Sequence, residues 1–353
     1  MQFGRRYSAV HAAVGAGLAL GAALLPAQAQ TSITLVAYSG LFQDKYTAAV
    51  IEPFMKKFPD IKVSYFGMPG SAGMLGSLRA QKASPQADVV IMDVSVSKAG
   101  TDEGLFEKLD EKSIPAIVEL YPNARIPDIA GVAVTFDNLV LIYNSDQVKE
   151  APKSWKAMAD KAYQGKVVIM GVPDIQGLSL LMILDRAAAG GGLASGLDKG
   201  IEAMAPIAPN VMTWEPKPDV YAPIVAGQAA IGIGWNARAQ VNGIASTGKL
   251  RATLPAEGSV FQINTINLIK GAPQAEAAKK FINYALGAEA QKAFTEAMFY
   301  APTNAKAQIS PAAMERTAVK SLDRMIPVDW LAVAKVRDQV NEQWRRRVIP
   351  LSR

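Results

Sequence analysis

Cysteine is absent from this 353-residue chain, and its one histidine is His11. An exported chain without cysteine relies on its core instead of on disulfides. His11 lies inside an N-terminal stretch that reads as a secretory leader, so the processed chain would hold neither residue type. That double absence excludes Ser-His-Asp and Cys-His nucleophilic sites and every zinc or haem centre ligated by His or Cys. Charge is sparse as well. Only 19% of residues are charged and the net +6 is scattered, unlike the clustered basic surface of a nucleic-acid binder. The run Arg345-Arg346-Arg347 fits a solvated helix end. The chain has no Walker loop, no internal repeat and no low-complexity tract beyond the leader.

The leader comprises residues 1–29. Arg5 and Arg6 form its positive start, Ala12 to Leu25 its apolar run, and Ala27-Gln28-Ala29 a small-x-small cleavage site. The apolar run falls short of the ~20 residues that a membrane span needs, and Pro26 ends it. The arginine pair permits twin-arginine export, although its flanks match that signal poorly. Cleavage removes two arginines and no acid, which lowers the net charge to +4. The expected location is the periplasm.

Beyond residue 29, short β-rich runs alternate with helical ones. Ile33–Ala37 reads as a strand, Phe42–Phe58 as an amphipathic helix, Ile61–Phe66 as a strand and Ser71–Lys82 as a helix. Ala87–Met92 is near-continuously apolar, as in a parallel sheet covered on both faces. A βαβαβ order of this kind indicates a doubly wound α/β body. The pattern then restarts. Val132–Tyr143, Val167–Met170, Ala229–Gly234 and Ile263–Ile269 read as extended, with a helix near Leu178–Ala189 that stops at Gly190-Gly191-Gly192 and helices dominating from Gln274. Two α/β blocks without a linker imply that the chain passes between two lobes more than once. The expected crossings are Val134–Asn138, Val260–Asn264 and Asn304–Ala307. Lobe 1 is then 30–137 plus 262–305, and lobe 2 is 138–261 plus 306–353 with a helical tail. Each lobe is expected to carry a mixed, mostly parallel sheet flanked by helices.

Ligands of such sheets sit beyond the carboxyl ends of the strands. Tyr38 and Ser39 follow the first strand, Asp93 and Ser95 the third, and Asp174 the Val167–Met170 run. Trp235, Asn236 and Arg238 follow Ala229–Gly234, Asn264 lies in the second crossing, and Tyr300 precedes Ala301-Pro302-Thr303-Asn304. Ser71 heads a helix behind Pro69-Gly70, where it either caps the helix or joins backbone amides around an anion. Asp137, in the first crossing, is either a second acid or a turn residue. Each alone has a plain explanation: Asp174 as a cap, Trp235 as core, Arg238 as a solvated cation. Their recurrence at successive strand ends points to a cleft with aromatic walls and a few polar anchors.

This organisation resembles the periplasmic solute-binding proteins of ABC importers, and more narrowly the spermidine/putrescine-binding group. The most specific pieces are Gly232-Ile233-Gly234-Trp235-Asn236, Pro255-Ala256-Glu257-Gly258-Ser259-Val260-Phe261 and Tyr300-Ala301-Pro302-Thr303-Asn304. The resemblance implies a hinged two-lobe trap of the type II periplasmic-binding-protein kind, with Trp235, Tyr300 and Tyr38 as wall rings and Asp174 as one carboxylate of a lobe-two pair. It also implies a small-molecule solute, permease subunits in the inner membrane as partners, a monomer, no cofactor and no metal. The chain departs from the group at Gly177, where the second carboxylate of the pair would fall. It departs again at Asn264 and Gln262, which replace an acid and a tryptophan, and near Val94 and Ser95, where an aromatic pair is missing. A buried dication would be left partly unpaired, which typically costs several kcal/mol. An inward Arg238 would suit an anionic group. The expected solute is therefore a small amine-bearing zwitterion, such as an amino-acid derivative or an aminophosphonate, with a plain polyamine as the alternative. Ser95-Val96-Ser97-Lys98 fits the S-x-x-K motif of penicillin-interacting enzymes, but Ser-Asp-Asn and Lys-Thr-Gly are missing. No enzyme activity is expected. Ferric-binding relatives of this fold use adjacent tyrosines, and no Tyr-Tyr pair occurs.

Overall fold

A computed structural model describes residues 30–352. The leader expected at 1–29 lies outside the described residues. Among the described residues, eleven strands assemble around one continuous pairing path. They are β1 (Thr31–Tyr38), β2 (Ile61–Met68), β3 (Val89–Asp93), β4 (Phe106–Glu107), β5 (Val132–Asn144), β6 (Val167–Val168), β7 (Val211–Thr213), β8 (Ile231–Trp235), β9 (Leu250–Thr253), β10 (Ser259–Ile269) and β11 (Met325–Ile326). The order along the path is β2-β1-β3-β10-β5-β8-β6-β7, with β4 and β11 on β10 and β9 on β5. β1 pairs in parallel with β2 and β3, and β6 with β7 and β8, whereas β10 and β5 run antiparallel to their neighbours on that path. The fold is thus the expected α/β sheet with flanking helices.

The centre of the molecule follows from β5. All thirteen of its residues are buried. Its first part pairs with β10, with Asn138 opposite Phe261 and Asp137 opposite Gln262, and from Leu139 onward it pairs with β8 and β9. Separate apolar clusters form on either side. One gathers Ile33, Phe42, Phe54, Ile91, Phe136 and Phe281; the other gathers Leu139, Trp155, Leu181, Ile201, Ile233 and Trp344. The last helix, Trp330–Arg347, belongs to the second cluster, which also takes in Val94 from the start of helix Val94–Asp102.

Local differences from the expected elements have physical causes. The helix read over Phe42–Phe58 is one helical run with a π turn at Thr47–Ile51, and Phe42, Tyr46, Val50 and Phe54 are its buried side. The triple glycine is a helix exit: the Gly192 amide donates to Asp185, 2.8 Å away. Gln291 anchors the segment behind Tyr300. Its amide nitrogen donates to the carbonyls of Val134 (3.1 Å) and Ala285 (2.9 Å), and its oxygen accepts the Thr303 amide (2.8 Å). Each buried group left without a partner costs about 1–3 kcal/mol. Gln291→Leu should therefore lower stability by roughly 2–5 kcal/mol in denaturant unfolding; an unchanged midpoint would refute this role.

Candidate functional site

A cavity of about 310 Å³ opens where β1 and β8 run out, beside Gln262 and Asn264 in the middle of β10. Tyr38, Phe42, Asn264, Tyr300, Met170, Asp174, Tyr221, Trp235 and Arg238 are among the residues that line it. The rings are held by their own packing. Tyr300 stacks on Phe294 with centroids 5.6 Å apart, and Phe42 meets Tyr38 edge-on at 5.4 Å and Tyr300 at 5.9 Å. Trp235 ends β8, and its backbone is gripped by Tyr221: the Trp235 amide donates to the phenol oxygen (2.9 Å), which donates in turn to the Trp235 carbonyl (3.0 Å). Rings fixed in this way present flat apolar walls at little further entropic cost.

A polar relay fixes the floor. The Tyr38 hydroxyl donates to Asn264 Oδ1 at 2.9 Å, and the Asn264 amide donates to Thr135 Oγ1 at 2.9 Å. Ser71 Oγ lies 2.8 Å from the Tyr38 hydroxyl and accepts the Asp93 amide at 2.9 Å. Burial, with the nearby Asp93 charge, raises Tyr38 far above the ordinary phenol range, so it stays protonated and donating.

Two carboxylates face this cavity. Asp174 caps helix Ile175–Ala187 by accepting the Gln176 amide at 2.8 Å. Burial raises its carboxyl above the usual range, with the Gln176 amide and the Arg337 charge opposing. Asp219 accepts the amides of Tyr221 (2.8 Å) and Ala222 (2.9 Å). In both, the second carboxylate oxygen accepts nothing among the described residues. Gln176, also among the lining residues, has a buried Oε1 without a hydrogen-bond partner among the described residues. Arg238 is the cation among the lining residues. The arrangement can neutralise an ammonium with Asp174 or Asp219, satisfy one of its N–H groups at Gln176, hold a carbon skeleton between rings and meet an anion at Arg238.

Several residues expected at the site have other work. Asn236 turns behind the cavity, donating to the Arg316 carbonyl at 2.7 Å and accepting from Gln240 at 3.0 Å. Asp93 and Ser95 satisfy each other: the Ser95 amide (2.9 Å) and hydroxyl (2.6 Å) both donate to Asp93 Oδ1, which starts helix Val94–Asp102. Ser71 neither caps its helix nor faces the cavity; Gly70 precedes the helix, and the hydroxyl serves the relay. Ser39 is exposed, its amide bonded to the Met68 carbonyl. Asp137 lies beneath the wall, 2% exposed. Asp219 escaped the strand-end rule because β7 ends at Thr213 and a loop, Trp214 to Pro218, intervenes. A Pro-Asp pair ahead of Val220-Tyr221-Ala222 is nonetheless a helix-start signal. Gly177 is not a vacated acid position. A Cβ there would lie 2.6 Å from Gly171 C and Val172 N, so the helix rests directly on the backbone that follows β6.

A profile of the bacterial extracellular solute-binding proteins matches residues 49–320. The chain belongs to that family, and its role is that of the substrate-binding component of an ABC transporter. Among curated relatives, it is 25% identical to the gamma-aminobutyric acid-binding protein of Pseudomonas aeruginosa, over 82% of this chain and 81% of that one. It is 24% identical to spermidine/putrescine-binding periplasmic protein 1 of Haemophilus influenzae, over 73% and 72%. Among solved structures, the Atu4243–GABA receptor aligns at a TM-score of 0.71 with 24% identity, covering 89% of this chain and 97% of that one. The spermidine/putrescine substrate-binding protein of Streptococcus pneumoniae aligns at 0.74 with 17% identity, covering 90% and 99%. These relatives are substrate-binding transport proteins, not enzymes, and several are named as periplasmic. Among the described residues no helix is long and apolar enough to cross a membrane, and no group of three or more His, Cys, Asp or Glu is placed to hold a metal ion.

Proposed function

We propose that this chain captures a small zwitterion bearing a primary amine and hands it to a membrane permease. One observation carries the reading: a single cavity is lined by Asp174 and Asp219, by the rings of Trp235, Tyr38 and Tyr300, and by Arg238. Two acids and one guanidinium suit a solute with an ammonium at one end and a carboxylate or phosphonate at the other. The gamma-aminobutyric acid-binding relative supports this choice. The second acid, Asp219, also favours a short diamine; Arg238 weighs against it, because the distal ammonium would meet a like charge. In this reading the parts 30–137 with 262–305 and 138–261 with 306–353 act as lobes, and closure about the β5–β10 ladder divides the solute's contacts between them.

The test is a thermal-shift and calorimetric comparison of 4-aminobutanoate, 2-aminoethylphosphonate and putrescine. A true solute stabilises by RT ln(1 + [L]/Kd), about 2.7 kcal/mol at a hundredfold excess over Kd. The expected order places both zwitterions above putrescine. Stabilisation by putrescine alone would reverse it.

A further inference from the structure

Asp137 sits on β5, opposite Gln262, two residues before the strand exchanges β10 for β8. One carboxylate oxygen accepts the Asn138 amide at 2.9 Å and, at 3.0 Å, the Ala237 amide in the first turn of helix Asn236–Ala245. The other oxygen, Oδ2, is buried and has no hydrogen-bond partner among the described residues. A charged carboxylate so placed is desolvated on one side, whereas the protonated form is not penalised in this way. The groups coupled to it come from three elements: Arg238 beside Ala237 on the same helix, Tyr221 on helix Tyr221–Val225, and Tyr300. Asp219 acts in turn on Tyr221, and Arg316 meets this region through its carbonyl, which Asn236 holds. The buried acid therefore holds the backbone amide of the residue just before the cation that lines the cavity. A charged Asp137 weakens the field of Arg238 toward the cavity, and a neutral one leaves it undiminished.

We propose that Asp137 is a positioning residue that couples capture of the solute's anionic group at Arg238 to uptake of a proton, an inference that rests on the zwitterion reading above. Burial pushes this carboxyl up to about 7, with the Ala237 and Asn138 amides and Arg238 opposing. It is therefore partly protonated at neutral pH. An anion arriving at Arg238 offsets the field that favours charged Asp137, so a proton passes from solvent to its carboxylate as the solute seats. In the unfolded chain the same group titrates near about 4. Stability from this residue is accordingly full below about pH 4, is lost as pH rises toward about 7, and is constant above that.

Calorimetric titration of 4-aminobutanoate at about pH 7, in buffers of different ionisation heat, should show uptake of a fraction of a proton. Asp137→Asn, which keeps an oxygen to accept from Ala237, should bind without uptake. Affinity should fall several-fold between about pH 6 and about pH 9 in the parent protein and stay flat in Asp137→Asn. Without solute, the parent's melting temperature should fall relative to Asp137→Asn between about pH 4 and about pH 7; a merely structural role would shift it equally throughout. Binding of 4-aminobutanoate without proton uptake overturns the inference and leaves the zwitterion reading standing. Parallel melting curves over that range overturn it independently of any solute. If none of the tested amines binds, the reading itself falls and the coupling falls with it.

Discussion

Replacing either Asp174 or Asp219 by asparagine is expected to weaken capture of 4-aminobutanoate on the order of a hundredfold, and replacing both to weaken it further. The physical reason is the company each acid keeps. Asp174 already serves one backbone amide and Asp219 two, so a charged oxygen is left on each to meet the ammonium in a partly dehydrated cavity, where truncating one partner of a charge pair costs about 2–5 kcal/mol. Asparagine retains an oxygen for the backbone amides and is itself a good helix cap. The fold should therefore survive, and the loss should appear in calorimetric affinity and not in the melting temperature. Burial raises the Asp174 carboxyl above its ordinary range, so Asp174→Asn should hold or slightly raise stability near neutral pH. Full affinity in both single variants would remove the acids from the site.

Gly177→Glu restores the carboxylate pair of the spermidine/putrescine-binding group on paper, yet it is expected to break the protein. A Cβ at this buried position meets the Gly171 carbonyl carbon and the Val172 nitrogen at 2.6 Å and the Met170 carbonyl oxygen at 3.0 Å. These are backbone atoms, and they cannot turn aside as a flexible side chain would. Overpacking alone costs about 1–3 kcal/mol, and the extra carboxylate brings a desolvation penalty on top. Gly177→Ala should lower the denaturant midpoint measurably, and Gly177→Glu should lower it more or abolish soluble expression. A folded Gly177→Glu that binds putrescine more tightly than the parent would show that the helix can lift, and the close-approach account would be wrong.

The architecture was legible because apolar runs and their lengths are local properties. Ala87–Met92 and Val132–Tyr143 announce buried strands through composition, and β3 and β5 lie there. Tyr38, Asp174, Trp235 and Arg238 could be picked out because they close or follow strand runs, Asn264 because it lies in the β10 crossing, and Tyr300 because it precedes Ala301-Pro302-Thr303-Asn304; the cavity collects them all. What stayed hidden is the direction a short polar side chain takes at a helix start. Asp93, Ser95, Asn236 and Ser71 have the same chemistry whether they serve a solute or a neighbouring amide, and only the packed structure decides. Asp219 was missed for the opposite reason: β7 is three residues long, too short for its end to show as a pattern. Gly177 read as a missing charge; in three dimensions it marks a contact between a helix and a backbone.

The chain's central strand also limits how such a protein can change over generations. Surface loops tolerate added or deleted residues, but β5 serves β10 with one stretch and β8 and β9 with the next, and every residue of it is enclosed. Inserting one residue would exchange the two faces of all that follows, leaving one side of the sheet in phase and the other inverted. New solute preferences are thus more readily reached by substitution around the cavity than by any change in the length of the strand beneath it.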